Sequence, residues 1–130
     1  MNIKSIVVLL AAGFVAVSFA PGNKPWSAGA AASKKNPVAT SAASVAAGKT
    51  LWNTHCKSCH GAKGLGDGPK AAQLKTEPGN FTAAGTQSQS DGSLFFKLSE
   101  GREDMPSFKK KIPDEADRWN LVNYIRSLKK

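Results

Sequence analysis

The stretch Cys56-Lys57-Ser58-Cys59-His60-Gly61 decides how the rest of this 130-residue chain is read. Two thiols three positions apart, with a histidine directly after the second, are the sequence form of a covalent c-type haem attachment. The spacing has a chemical reason. Residues 56 and 59 lie about one helical turn apart, so both sulfurs reach the two vinyl groups along one side of a porphyrin. His60 then turns its imidazole toward the iron from the proximal face. Other uses of the two cysteines fit less well. A dithiol redox pair belongs beside a βαβ pattern, and none surrounds them. A zinc site wants a second pair of cysteines, and the chain has only two; its one other histidine, His55, sits too close to complete a tetrahedral cage. A disulfide across two intervening residues closes too short a loop to stabilise much.

Outward from the motif, charge divides the chain. No Asp or Glu precedes Asp67, although seven Lys do, so the formal net charge of +9 overstates the basicity of any folded part. From Ser44 to Lys130 there are 14 Lys and Arg against 9 Asp and Glu, a balance of +5. A moderately basic domain suits an acidic protein surface or an anionic membrane. No nucleic-acid-binding motif accompanies the charge, so nucleic acid is not an expected partner.

Residues 1–20 read as an export signal or an uncleaved N-terminal anchor. Lys4 supplies the positive end, and Ile6 to Phe19 is a 14-residue run without charge. That is shorter than the ~20 residues a membrane-spanning helix needs and fits a signal core. Cleavage after Ala20 would leave Pro21 in first place, an unfavourable site, so removal after Ser18 and retention both stay open. Residues 21–43 are almost entirely Ala, Gly, Ser, Thr, Pro, Lys and Asn. Such a composition buries too little surface to offset its ordering entropy, which predicts a flexible linker. Trp26 then reads as a stray exposed aromatic, with a membrane-interface anchor as the alternative.

Residues 44–130 carry the domain. Ser44 is a suitable N-cap for a helix running through Val45, Gly48, Leu51 and Trp52 to Cys56. Gly48 in mid-helix costs up to about 1 kcal/mol against Ala, a cost that a close helix crossing would justify. The partner is Asp114 to Leu128, where Leu121, Tyr124, Ile125 and Leu128 form an amphipathic stripe that Trp119 and Val122 widen. Pro113 suits its entrance. Asp91 or Ser90 caps a third helix that Gly101 stops, with Leu94, Phe95 and Leu98 assigned to a haem pocket. Pro69 starts a short helix toward Leu74, Phe81 is a pocket wall, and Thr82 to Gln89 reads as loop.

This segment resembles the class I cytochrome c family over its whole length, from about Ser44 to Lys130. In that family a glycine, then an aromatic four residues on, precede the first haem cysteine by eight and four positions, as Gly48 and Trp52 precede Cys56. An aromatic of the terminal helix packs at the crossing, a place for Tyr124 or Trp119. The resemblance implies an all-α cytochrome c fold of three to five helices around one covalently bound haem c. It implies Cys56 and Cys59 as thioether positions, His60 as proximal ligand and a downstream methionine as the sixth ligand. Met105, 45 residues after His60 and followed by Pro106, is the only methionine besides Met1. By itself a lone Met is usually core filler; beside a haem, His/Met is an expected pairing. The resemblance further suggests the Pro69 carbonyl as acceptor of the His60 Nδ1 proton, with a helix-starting proline as the plainer reading.

The function implied is one-electron transfer between redox proteins in the periplasm or on the outer face of the cytoplasmic membrane, with no catalysis, by a monomer or a subunit. The alternatives are a fixed electron-transfer subunit of a respiratory or dehydrogenase complex, and a haem enzyme or gas sensor in which Met105 is displaced. His55 reads as a surface residue near the haem edge. Arg102 reads as a solvated charge or as a partner of a haem propionate. Lys109-Lys110-Lys111 reads as a solvated face that can also steer an acidic partner.

Overall fold

The computed structural model of the chain describes residues 25–130, so the expected signal or anchor at 1–20 lies outside the described residues. Among the described residues five α-helices follow one another: α1 (Ala42–His55), α2 (Lys57–His60), α3 (Ala84–Gln87), α4 (Asp91–Glu100) and α5 (Glu115–Ser127). Among the described residues there is no β-strand, only an isolated bridge between Arg102 and Met105. The all-α expectation holds.

The N-cap of α1 lies three residues before the expected Ser44. Its N-cap is Ser41, whose hydroxyl accepts the Ser44 N–H while the Ser44 hydroxyl accepts the Ser41 N–H, a reciprocal capping box. Ser44 is the far half of that box. Asp114 caps α5 by accepting the Ala116 N–H at 2.8 Å, and Ser90, with Asp91 just inside, caps α4. Gly101 ends α4 with φ +71.

The framework is the crossing of α1 and α5. A Cβ placed on Gly48 would fall 2.7 Å from the Asn120 carbonyl carbon and 2.8 Å from the Tyr124 Cβ, so only hydrogen permits this approach. Trp52, one turn on and 1% exposed, packs against Tyr124 with ring centroids 5.5 Å apart. The other face of α5 meets α4, where Phe95 stacks on Trp119 at 3.9 Å with ring planes 13° apart. Arg126 ties the start of α4 into the frame, donating to Asp91 and to the carbonyls of Gln87 and Gln89. The expected loop at 82–89 contains the single turn α3, and the expected helix after Pro69 is only a 3-10 turn, Ala71–Gln73.

The linker expectation needs correcting over its described part. Residues 25–41 lie along the helices as a strap, with a 3-10 turn at Gly29–Ser33. The Ser90 hydroxyl donates to the Ala32 carbonyl at 2.6 Å, and Lys34 pairs with Glu115 at 2.6 Å while its ammonium sits 4.8 Å from the Phe95 ring centroid. Further along, Asn123, 1% exposed, accepts from Asn36 at 2.8 Å and from Thr40 and donates to the Val38 carbonyl. Hydrophobic composition undervalued this segment because much of its order comes from hydrogen bonds and one buried amide, beside the apolar contacts of Ala28 and Val38.

Candidate haem site

Cys56 closes α1, with its N–H donating to the Trp52 carbonyl, and opens α2, where the His60 N–H donates to the Cys56 carbonyl at 2.9 Å. The motif is thus a single helical turn, and both cysteines are free thiols. The loop after His60 folds back onto that turn. Gly66 N–H donates to the His60 carbonyl at 2.9 Å, Gly68 N–H to the Cys59 carbonyl at 3.1 Å and Lys70 N–H to the Ser58 carbonyl at 2.8 Å. Trp52 adds its indole N–H to the Gly61 carbonyl at 3.0 Å. These bonds satisfy the carbonyls at the end of α2 and hold the imidazole in place. The Phe81 ring meets the imidazole edge-on, centroids 4.8 Å apart, in its expected place as a wall.

Cys56, Cys59 and His60 line a cavity of about 560 Å³, and Met105, Pro106 and Phe108 line it with them. A second hollow of about 170 Å³ shares Cys56, His60 and Met105 and carries the crevice inward to Leu94, Leu98 and Ile125. Leu94 and Leu98, four apart on α4, belong to this wall as expected, but Phe95 does not. It lies a step round the helix, under Lys34 and against Trp119. His55 also borders the crevice, its ring edge-on to Phe108 at 6.1 Å.

Met105 hangs from a turn held at several points. Arg102 and Met105 exchange backbone hydrogen bonds at 2.8 and 2.9 Å, which puts Glu103 at φ +54, a strained conformation for a side-chain-bearing residue. The Asp104 carboxylate accepts the Lys75 and Thr76 N–H groups at 2.7 and 3.3 Å, and Glu103 accepts the Thr76 hydroxyl at 2.7 Å. Beyond Met105, the Ser107 hydroxyl donates to Ser99 and the Phe108 N–H to Leu98, both on α4 carbonyls. Asp104 therefore clasps the methionine turn to the 75–76 segment, which leads to Pro78 on the histidine side. The residue types gave no signal for this clasp, since Asp104 pairs with backbone 28 and 29 positions away.

Burial lowers the His60 pKa, and the Pro78 backbone, near enough to favour the protonated ring, opposes it more weakly. The imidazole is thus neutral at neutral pH and has a lone pair to offer a metal. Burial, and then the neighbouring Cys59 charge, push the Cys56 thiol up to about 12. His60 Nδ1 is buried without a hydrogen-bond partner, so the Pro78 approach falls short of a bond. The same observation corrects Pro69 as the expected acceptor. Its neighbours Gly68 and Lys70 donate to the Cys59 and Ser58 carbonyls of α2, and Pro69 itself is exposed. Pro78, which borders the crevice, is the proline beside the imidazole.

Trp26 is the feature that composition misread. It is half-buried, borders both parts of the crevice, and has the Lys97 ammonium and the Arg102 guanidinium 5.5 and 5.8 Å from its ring centroid. Arg102 and Lys111 also border the mouth, whereas Lys109 is paired with Glu100.

The residues present fit a haem. Two free thiols lie on one helical turn, a neutral, half-buried imidazole follows, a thioether borders the same crevice, and the crevice has the size of a cofactor pocket. No curated protein matches the chain. Among solved structures, it is similar to a chain of the Kuenenia stuttgartiensis reducing HAO-like protein complex, at 28% identity and a TM-score of 0.64, over 72% of this chain and 47% of that one. The chain thus spans about half the length of that protein. It is also similar to the KustC0563 c-type cytochrome, at 28% identity and a TM-score of 0.55, over 64% of this chain and 98% of that one. Cytochrome cL of the marine methylotroph Methylophaga aminisulfidivorans shares the fold at 20% identity and a TM-score of 0.53, over 68% of this chain and 55% of that one. The family described as Cytochrome c matches residues 45–129, from the first turn of α1 to the end of α5. With that match and the attachment turn at Cys56–His60, the chain belongs to the cytochrome c family, and its cofactor is a covalently bound haem c.

Proposed function

We propose that this protein is a one-electron carrier whose haem iron is held between His60 and Met105, with thioether bonds at Cys56 and Cys59. The observation that carries the reading is that Met105 borders the same crevice as the attachment turn. When bound, haem c supplies an iron that alternates between ferrous and ferric forms. The chain's own residues set the conditions. His60 is kept neutral by burial and oriented by the loop bonded back onto α2. The Met105 thioether is a soft donor that raises the potential. Leu94, Leu98, Phe81 and Phe108 keep water from the inner part of the crevice. His60 and Met105 would together hold the iron with the chain's own donors and leave no open position for a substrate, which supports a carrier over an enzyme.

Export to the periplasm or the outer face of the cytoplasmic membrane is supported by Lys4 and the uncharged run from Ile6 to Phe19. An acidic redox partner suits the +5 balance of residues 44–130 and Lys111 at the crevice mouth. Adding CO to the reduced holoprotein tests the reading: a carrier with Met105 in place keeps its spectrum, whereas a CO complex would point to a displaceable Met105 and to a sensor or enzyme. One observation favours a second reading, a fixed subunit of a redox complex. It is the similarity, at 28% identity, to a chain of the reducing HAO-like complex. Purification from membranes with a stable partner, against recovery as a free monomer, separates the two.

A further inference from the structure

We propose that Trp26 is a wall of the haem crevice on the methionine side, delivered by a strap that lies outside the family's domain, and that it controls access of external ligands to the iron. The inference rests on reading the crevice as the haem site. Its starting point is that the family match begins at residue 45, while Trp26 borders both parts of the crevice.

Three independent features show that the strap is built into the fold. The first is Gly92, in the first turn of α4. A Cβ there would fall 2.7 Å from the Lys34 carbonyl oxygen and 3.0 Å from that of Ala32, so the strap can lie on α4 only because residue 92 has no side chain. The second is Asn123, a fully buried amide on α5 whose partners include Asn36, Val38 and Thr40, all strap residues. Without the strap those polar atoms would lose partners inside the protein, a cost that makes the amide specify the strap's path. The third is Lys34, placed between Glu115 and the Phe95 ring. With residues 34–41 fixed this way and Ala28 buried, the chain arrives at the crevice with Trp26.

The local chemistry suits a wall. The ring lies near Lys97, on α4, and Arg102, which begins the turn carrying Met105. Both cations favour an electron-rich indole face. Lys97 is itself held by Gln89 at 2.6 Å. Trp26 therefore borders the junction of α4 and the methionine turn, so a ligand approaching the iron from that side meets the indole as well as Met105.

The test titrates imidazole into the ferric holoprotein, for the wild type, Trp26→Phe and Trp26→Ala. Opening the wall in Trp26→Ala is expected to tighten imidazole binding about tenfold, equivalent to about 1.4 kcal/mol, while Trp26→Phe stays near the wild type. Equal affinities in all three, with haem intact, would overturn the role of Trp26 and leave the haem assignment standing. A wild type that carries no covalent haem would overturn both. Since Trp26→Ala can also fail to fold, a second measurement does without that variant and compares the two redox states of the wild type. Its Trp26 indole N–H resonance, assigned by its absence in Trp26→Phe, should sit at different positions in the ferrous and ferric forms. A resonance at the free-indole position in both redox states would place Trp26 away from the iron and overturn the inference.

Discussion

Gly48 and Asp104 show how single residues set the site's dimensions from outside it. At Gly48 the absence of a side chain fixes how near α5 comes to α1, and with it the position of Trp52 behind the imidazole. Gly48→Val should cost about 1–3 kcal/mol from overpacking, read as a lower guanidinium midpoint of the holoprotein with an unchanged slope. Asp104 works differently, by accepting two backbone N–H groups across the crevice mouth. Asp104→Ala should cost about 1–3 kcal/mol by leaving those donors to water. It should also release Met105 at a lower temperature than in the wild type, followed by loss of the methionine–iron charge-transfer band on heating. Loss of stability with the band's melting point unchanged would mean that the clasp does not hold the ligand. The sequence did not reveal this residue, because a carboxylate that caps backbone far along the chain leaves no local pattern. Cys56, Cys59 and His60 were legible for the opposite reason, since their chemistry is confined to one helical turn.

Among the elements, the terminal helices were the most legible and the strap the least. α1 and α5 bury continuous stripes, and their caps at Ser41 and Asp114 lie within a few residues of the expected starts. α4 was found with its stop at Gly101, but the direction of Phe95 depends on what lies beside it, which periodicity alone does not say. Beyond its alanines the strap has only Trp26 and Val38 as large apolar residues, so its order was invisible until Asn123 and Gly92 gave it a path. Its weakest anchor is ionic. The carboxyl of Glu115 is held below its ordinary value of 4.5, first by the Lys34 ammonium and then by the Trp119 indole N–H, with the Lys34 and Arg118 charges adding to the effect. A depressed carboxyl contributes stability that is present above its unfolded pKa and lost as pH falls through the folded one. Acid should therefore free Lys34 before the helices melt, seen as a change in the Lys34 and Phe95 resonances below pH about 4.5 while helical circular dichroism persists. In Glu115→Gln the step should vanish. A step that survives in that variant would assign it to another group.

The described residues form a helical shell around a crevice, and the apolar groups on the crevice walls are also part of the packed core. Trp52, Leu94, Leu98, Phe108 and Ile125 belong at once to the core and to that crevice. A domain of this size has little core to spare, so the porphyrin is structural as well as functional. The Cys56→Ala, Cys59→Ala double variant without haem should be largely unfolded, with a poorly dispersed NMR spectrum; good dispersion would show that the shell stands alone. The central claim is a closed iron site, with His60 on one side and Met105 on the other. It is tested most directly by the optical spectrum of the ferric holoprotein beside that of Met105→Ala. A methionine–iron charge-transfer band is expected in the wild type and its loss in the variant, with the haem still attached. A band that persists in Met105→Ala, or is absent from the wild type, would contradict it.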